Sequence, residues 1–372
     1  MNSGPVLVRH YAPGGKEHGG GIGRFIGYVA AAEGSARHSV VDTRGPWLSL
    51  ASPLRLLAAM MVMAGDRLSS PFCIHHIHVA GRGSTIRKLM LAAAARVLGC
   101  QHVLHLHDYD YAHDYASRST IGRVVVKRMF QGADAVIVLG QHDCRLMTKV
   151  LGVRPERVVV FPNCAPDPGP AEAQVQVCPR IVFLGRLSER KGVPELLAAL
   201  ASPGMAVAPW KAVIAGDGDV ARFRDLARSL GIGHRIEMPG WLDVDEAGAI
   251  LNWADILVLP SHAEGMAMAV IEGLAHGLAV ITTPVGAHEE AITDGVNGIF
   301  VKPGDIQSLS DALATLVTEP DRRQALSHGG RALFLSRFSM PVYMCRLDAL
   351  YADICRKASA RSPYQDPEHE PD

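Results

Sequence analysis

Short apolar runs recur along the chain, each closing on a glycine- or proline-marked loop that opens into a helix-like stretch. Val6–His10, Val103–Asp108, Arg157–Phe161, Arg180–Leu184, Asp255–Pro260 and Ala279–Thr282 read as strands. Runs this short and this continuously apolar suit strands buried on both faces, the mark of a parallel sheet. Helical stretches follow at Arg24–Ala32, Ser84–Leu98, Val193–Leu200, Ile306–Thr318 and Asp321–Phe338. The pattern predicts an α/β chain of repeated strand–loop–helix units, with ligand loops at the carboxyl ends of the strands. A Pro-, Ala- and Gln-rich segment, residues 167–177, divides it into near halves, as a linker would. The expected organisation is a first domain over 1–166 and a second over 178–338. A last helix, 339–356, crosses back to the first, and 358–372 forms a disordered tail.

One unit carries the strongest chemistry. After the Asp255–Pro260 strand comes SHAEGMAMAVIEGLAHGLAVITTPVG, residues 261–286. Glu264 and Gly265 lie in the loop, and Glu272 lies eight positions on, in a helix that stops at Gly277. The backbone amides of Gly265, Met266, Ala267 and Met268 would point between the two acids. Orphan amides and the helix dipole suit a diphosphate. The flanking carboxylates suit hydroxyls. Glu264 alone could be an ordinary loop acid, but Glu272 sits among apolar neighbours and calls for a specific partner.

This stretch resembles the Glu-x7-Glu signature of the retaining glycosyltransferases of family 4 (group 1), which have the GT-B fold. The pattern departs at Ala267, where proline is common. The resemblance implies two facing Rossmann-like domains with a cleft between them. It implies that Glu264 contacts the donor sugar and Glu272 the ribose. Gly185-Arg186-Leu-Ser-Glu-Arg-Lys191-Gly192 resembles the family's Gly-Arg…Lys-Gly element, which implies Arg186 and Lys191 on the donor phosphates. On its own that segment would read as an ordinary charged loop. His107-Asp108, at a strand end, resembles the His-Asp whose histidine reaches the sugar. Gly20 and Gly21 match a Gly-Gly pair facing the donor. The turn Ile236–Leu242, with Trp241, lies where the base is read.

Other features change the picture less. Formal charge balances, with 37 basic and 37 acidic residues, so no nucleic-acid partner is expected. Seven cysteines without a Cys-x-x-Cys pair fit a reducing compartment. No secretory signal or spanning segment is evident, and Leu56–Gly65 is too short to cross a bilayer. Arg82, Arg87 and Lys88 cluster at a helix start with Ser84 as N-cap. Cations are disfavoured there, which points to a bound anion such as an acceptor phosphate, or else to a solvated basic turn. His75, His76, His78, His105 and His107 invite a metal, but no third ligand at a motif spacing completes a site. No cofactor or metal is expected.

The expected function is transfer of a hexose, with retention, from GDP-mannose or a UDP-sugar to an acceptor hydroxyl. By resemblance the acceptor is a lipid-linked saccharide in exopolysaccharide or lipopolysaccharide synthesis. The expected partners are the nucleotide sugar, the saccharide acceptor and the inner membrane's cytoplasmic face. A non-catalytic nucleotide-sugar-binding protein, or another GT-B enzyme such as an epimerase, stays open. A nicotinamide dehydrogenase does not, because no strand leads into Gly-x-Gly-x-x-Gly with an acid about 20 positions on.

Overall fold

In a computed structural model the chain is described over residues 5–15, 20–45, 52–81, 83–169, 178–206 and 208–360. Two six-stranded sheets divide it, and every strand pairing is parallel. The first contains β1 (Val6–Ala12), β2 (Ala36–Asp42), β3 (Ile74–Val79), β4 (Gln101–Leu106), β5 (Ala135–Val138) and β6 (Val158–Val160) in the order β2-β1-β3-β4-β5-β6. The second contains β7 (Arg180–Leu184), β8 (Lys211–Ala215), β9 (Ile236–Glu237), β10 (Ile256–Leu259), β11 (Ala279–Thr282) and β12 (Ile299–Phe300), ordered β12-β11-β10-β7-β8-β9. Strands β5 and β10 are buried at every position, which is why their sequences are apolar throughout rather than alternating.

Helices cover both faces of each sheet. In the first, α2 (Ser52–Ser69) and α3 (Gly83–Leu98) pack on one face with Tyr11, Ile77, Leu104 and Val136. Helix α1 (Gly20–Ala31) and the terminal helix Met340–Ser359 cover the other. The terminal helix buries Tyr343, Met344, Leu347, Tyr351 and Ile354 against the first sheet. It thus ties the end of the chain to its beginning, with Asp348 accepting from the amide of Ser35 at 2.8 Å.

Local readings shift at three places. Gly20 and Gly21 form the first turn of α1 rather than a turn ahead of it. Helix α3 starts at Gly83, so Ser84 is inside it and its hydroxyl is buried without a partner instead of capping. The terminal helix runs through Ser359. All seven cysteines are free.

Candidate active site

The loop after β10 leads into helix Met268–Ala275, all eight of whose residues are buried. Its N-cap, Ala267, has no side chain to satisfy the first-turn amides, so the helix opens on uncapped donors. One expected donor is already used: the Ala267 amide donates to Nε2 of His288 at 3.3 Å. Nδ1 of His288 lies 3.1 Å from the carbonyl of Thr283. Its proton therefore sits on Nδ1, leaving Nε2 as acceptor. Burial pushes its pKa down despite Glu264 nearby, so it stays neutral. Gly286, at φ +60°, completes the clamp: a Cβ there would overlap the carbonyl oxygens of Glu264 and Gly265. Ala287 donates to Gly265 O at 2.6 Å. The sequence reading gave His288 no role, because a histidine flanked by Ala287 and two acids shows no burial pattern.

Both signature acids are buried, Glu264 at 8 % and Glu272 at 5 % exposure. Lys191 Nζ lies 2.6 Å from Glu264 Oε1, and Arg190 lies 3.6 Å away. Arg190 also donates to Ala263 O and packs on the ring of Tyr109 from the other half of the chain. Glu272 has partners across the cleft on α1. Arg24 reaches both its oxygens at 3.2 and 3.3 Å, and the Tyr28 hydroxyl donates at 3.0 Å. A cavity of about 410 Å³ opens beside them, lined by Arg24, Tyr28, Gly248, Asn252, Glu272 and His276.

The first half meets the loop closely. A Cβ at Gly265 would stand 3.0 Å from the carbonyl of His107, and one at Gly21 would touch Met268. Asn163 donates to Met266 O at 2.9 Å, a cross-cleft tie the sequence did not signal. The structure therefore brings together Gly21, His107, Lys191, Glu264, Gly265, Met266, Met268 and Glu272. Asp108 faces away: it accepts from Gly81 and Asp110 amides and fixes the β3–α3 turn.

Other candidates lie apart. Arg186 is exposed and pairs with Asp217 at 3.3 Å. Trp241 is 68 % exposed and lies outside the cavity lining, although Val244 and Asp245 just beyond it contribute. Arg82 is outside the described residues. Lys88 does not join a basic surface turn. It falls on the inward stripe Thr85, Lys88, Leu91, Ala92, Ala95, as a 3.6-residue period dictates. Its buried ammonium donates to Tyr11 O at 3.0 Å and Thr43 Oγ1 at 2.9 Å, and burial with Arg87 nearby pulls its pKa well down. Arg87 stays half-buried, with Nε unpartnered.

The match to known families decides the matter. Residues 6–164 match the glycosyl transferase 4-like domain, and residues 176–333 match the glycosyl transferases group 1 family. The chain belongs to the group 1 glycosyltransferases. A GDP-mannose-dependent α-(1-6)-phosphatidylinositol monomannoside mannosyltransferase of Mycobacterium tuberculosis is 25 % identical over 349 residues, 84 % of this chain and 89 % of that protein. A lipopolysaccharide core biosynthesis glycosyltransferase of Rhizobium meliloti is 29 % identical over 210 residues, 56 % and 57 % of the two chains. Among solved structures, sucrose-phosphate synthase of Thermosynechococcus elongatus superposes with a TM-score of 0.72 at 18 % identity, covering 96 % of this chain and 100 % of that one. An Anabaena protein crystallised with UDP and glucose gives 0.70 at 18 %, covering 94 % and 100 %. This glycosyltransferase thus has the GT-B fold, its two sheets facing across the cleft just described.

The fold supplies the third ligand that spacing could not: His78 joins His105 and His107, and His10 joins His76 and His78, with ligand atoms within 4.8 Å in each group. Asp66, Cys73 and His75 form another such group. The closest ring nitrogens in the first two are 2.9–3.0 Å apart. Tetrahedral zinc at about 2.0–2.1 Å from each ligand spreads them to roughly 3.4 Å, so these are hydrogen-bond distances. In this glycosyltransferase no helix among the described residues is long and apolar enough to cross a membrane.

Proposed function

We propose that the chain moves a hexose, with retention, from a nucleotide-diphosphate sugar to a hydroxyl of a lipid-linked saccharide, in the building of a surface polysaccharide. The observation that carries the reading is the donor loop itself. Glu264 with Lys191, the uncapped helix start and Glu272 belong to one wall, and the backbone carbonyl of His107 meets Gly265 from the other. Lys191 and the helix amides would hold charge that builds on the leaving diphosphate, so the reading needs no metal. Glu264 would position the sugar and Glu272 would take the ribose hydroxyls. No covalent nucleophile is invoked: the acceptor attacks on the face the diphosphate leaves, and the diphosphate takes the acceptor's proton.

The Mycobacterium relative's description names GDP-mannose and a phosphatidylinositol-borne acceptor, which supports mannose and a lipid-borne acceptor here. The surface of the first half supports the lipid. Leu54, Leu57, Met61 and Leu68 on α2, Ile86, Met90 and Val97 on α3, and Ile121 and Val124 on helix Thr120–Gln131 are exposed. Arg67, Arg96, Arg123 and Arg128 stand exposed among them. Apolar side chains interspersed with cations suit an anionic bilayer face, which would place the protein on the cytoplasmic side of an inner membrane.

A thermal-shift panel of GDP-, UDP- and ADP-sugars tests the donor. One nucleotide class should raise the melting temperature of the wild type and not of Glu272→Ala. Donor binding with no nucleotide released, whatever lipid-linked acceptor is supplied, would overturn transfer in favour of a binding protein. Failure to sediment with anionic liposomes would overturn the membrane assignment.

A further inference from the structure

The first sheet buries an unusual set of side chains. His10 on β1, His76 and His78 on β3, and His105 on β4 are at most 1 % exposed, and His38 on β2 is half-buried. Register explains why they meet. His10 is paired with His76, and His78 with His105, in adjacent parallel strands, all on the face covered by α1 and the terminal helix. A buried imidazole nitrogen without a partner costs about 1–3 kcal/mol, so the rings satisfy one another. His38 Nδ1 lies 2.9 Å from His10 Nε2, His10 Nδ1 lies 3.0 Å from His78 Nε2, and His78 Nδ1 lies 2.9 Å from His107 Nε2. The four rings are joined head to tail, Nδ1 to Nε2 at every link, from the sheet edge to the cleft.

A neutral imidazole carries one proton, as donor at one nitrogen and acceptor at the other. In such a chain one ring cannot change tautomer alone. Either all four carry the proton on Nδ1 or all four carry it on Nε2. The far end decides between them. His38 Nε2 is buried and has no partner. An orphaned lone pair costs less than an orphaned N–H, so His38 carries its proton on Nδ1 and the other three follow. Burial lowers His38, pushes His78 well down and His107 to about 3. The groups facing His38 are His10, Tyr351 and Asp348 of the terminal helix.

We propose that His38, His10 and His78 are positioning residues that lock His107 as a hydrogen-bond donor, presenting Nδ1–H to the cleft. His107 then offers a proton to a substrate oxygen and is barred from accepting one. The relay ends beside the donor loop, where His107's own carbonyl meets Gly265. The kinetic part of this inference rests on the proposed transfer reaction; the tautomer assignment does not. His76, bonded to His105 at 3.2 Å and to Tyr351 at 2.6 Å, has no ring hydrogen bond to His107, although its ring stacks on His10 and His78.

Long-range ¹H–¹⁵N correlation on the histidine-labelled full chain, without substrate, reads each tautomer directly. Expected are four neutral rings, all with the proton on Nδ1, at neutral pH. His38→Glu puts a carboxylate, which can only accept, at the half-buried end of the chain, and His78→Phe removes the ring that donates to His107 should the first variant not fold. The first should turn His10, His78 and His107 to the Nε2–H tautomer, and the second should leave His107 averaging between tautomers. With a substrate, kcat should fall about tenfold, the equivalent of one lost hydrogen bond, with the donor KM unchanged. His107 on the Nε2–H tautomer in the unsubstituted chain, or a His107 signal unmoved in both variants, overturns the proposal. So does tight stoichiometric Co²⁺ binding with a visible ligand-field spectrum, which would make the cluster a metal site.

Discussion

The two sheets bury opposite chemistries. The second has an interior dominated by Ile, Val, Leu and Ala, and the groups of its proposed site, Lys191, Glu264 and His288, sit in the connections at the strand ends. The first carries working polarity inside the sheet: a face of linked histidines, and Lys88 under the other face. An apolar sheet can hold a site on its rim without being tuned to it, whereas a polar interior holds only if every group finds a partner. The first half should therefore be the more sensitive to whatever upsets those partners.

Acid is the broadest such upset. Burial holds His38, His76, His78, His105 and His107 below their ordinary value, and His75 near 4. Unfolded, each takes a proton below about 6.5. Stability is thus full above that pH and is lost as the pH falls. The slope is up to about 1.4 kcal/mol per pH unit for each histidine. In the second half burial lowers His276, to about 4, and His288. Between pH 7.5 and 5 the loss should reach several kcal/mol. Hydrogen exchange should show the first sheet opening before the second, and equal protection in both at pH 5 would break the contrast.

Lys191 tests the rim. Lys191→Ala removes the cation beside Glu264 and should lower transfer by about 10²–10³, as loss of a preorganised charge does. Its melting temperature should change little compared with its activity. A change below tenfold would remove Lys191 from the diphosphate site. Gly286→Ala comes next. Its Cβ would strike the donor loop's carbonyls at a positive φ, which should cost about 2 kcal/mol or more. Calorimetry should show the loss together with reduced donor binding, since the clamp and the loop move as one.

The same contrast decides what could be read from the chain beforehand. Arg180–Leu184, Val193–Leu200, Ala279–Thr282 and Ile306–Thr318 have the bounds that apolar periodicity set, because burial there is simply apolar. Glu272 stood out because an acid among apolar neighbours violates that rule, and the structure supplies its partners in Arg24 and Tyr28. The histidine relay was not legible. Its members are distributed over β1, β2, β3 and the end of β4, and only strand register brings them together. Lys88 misled for a related reason: a cation beside Arg87 reads as surface, although the stripe Thr85–Lys88–Leu91–Ala95 already placed it inside. His288 and Asn163 gave no signal, since single polar residues in loops acquire their meaning from the backbone opposite.

The smallest expected effect tests the seam between the two halves. Arg24 and Tyr28 occupy the carboxylate that the ribose hydroxyls would use. If they hold Glu272 before the donor arrives, the donor must displace them, and Tyr28→Phe should tighten donor binding. One hydrogen bond to a charged acceptor, about 1.5 kcal/mol, corresponds to a roughly tenfold lower Kd. If α1 instead stays on Glu272 when the donor is bound, the same substitution removes support from the carboxylate, and Kd should rise by a similar factor. Titration calorimetry with the nucleotide that the thermal-shift panel selects separates the two by sign. A tighter complex makes the polar half a competitor for the ribose site. A weaker one makes α1 part of the donor pocket, and the second sheet's rim would then be incomplete without the first.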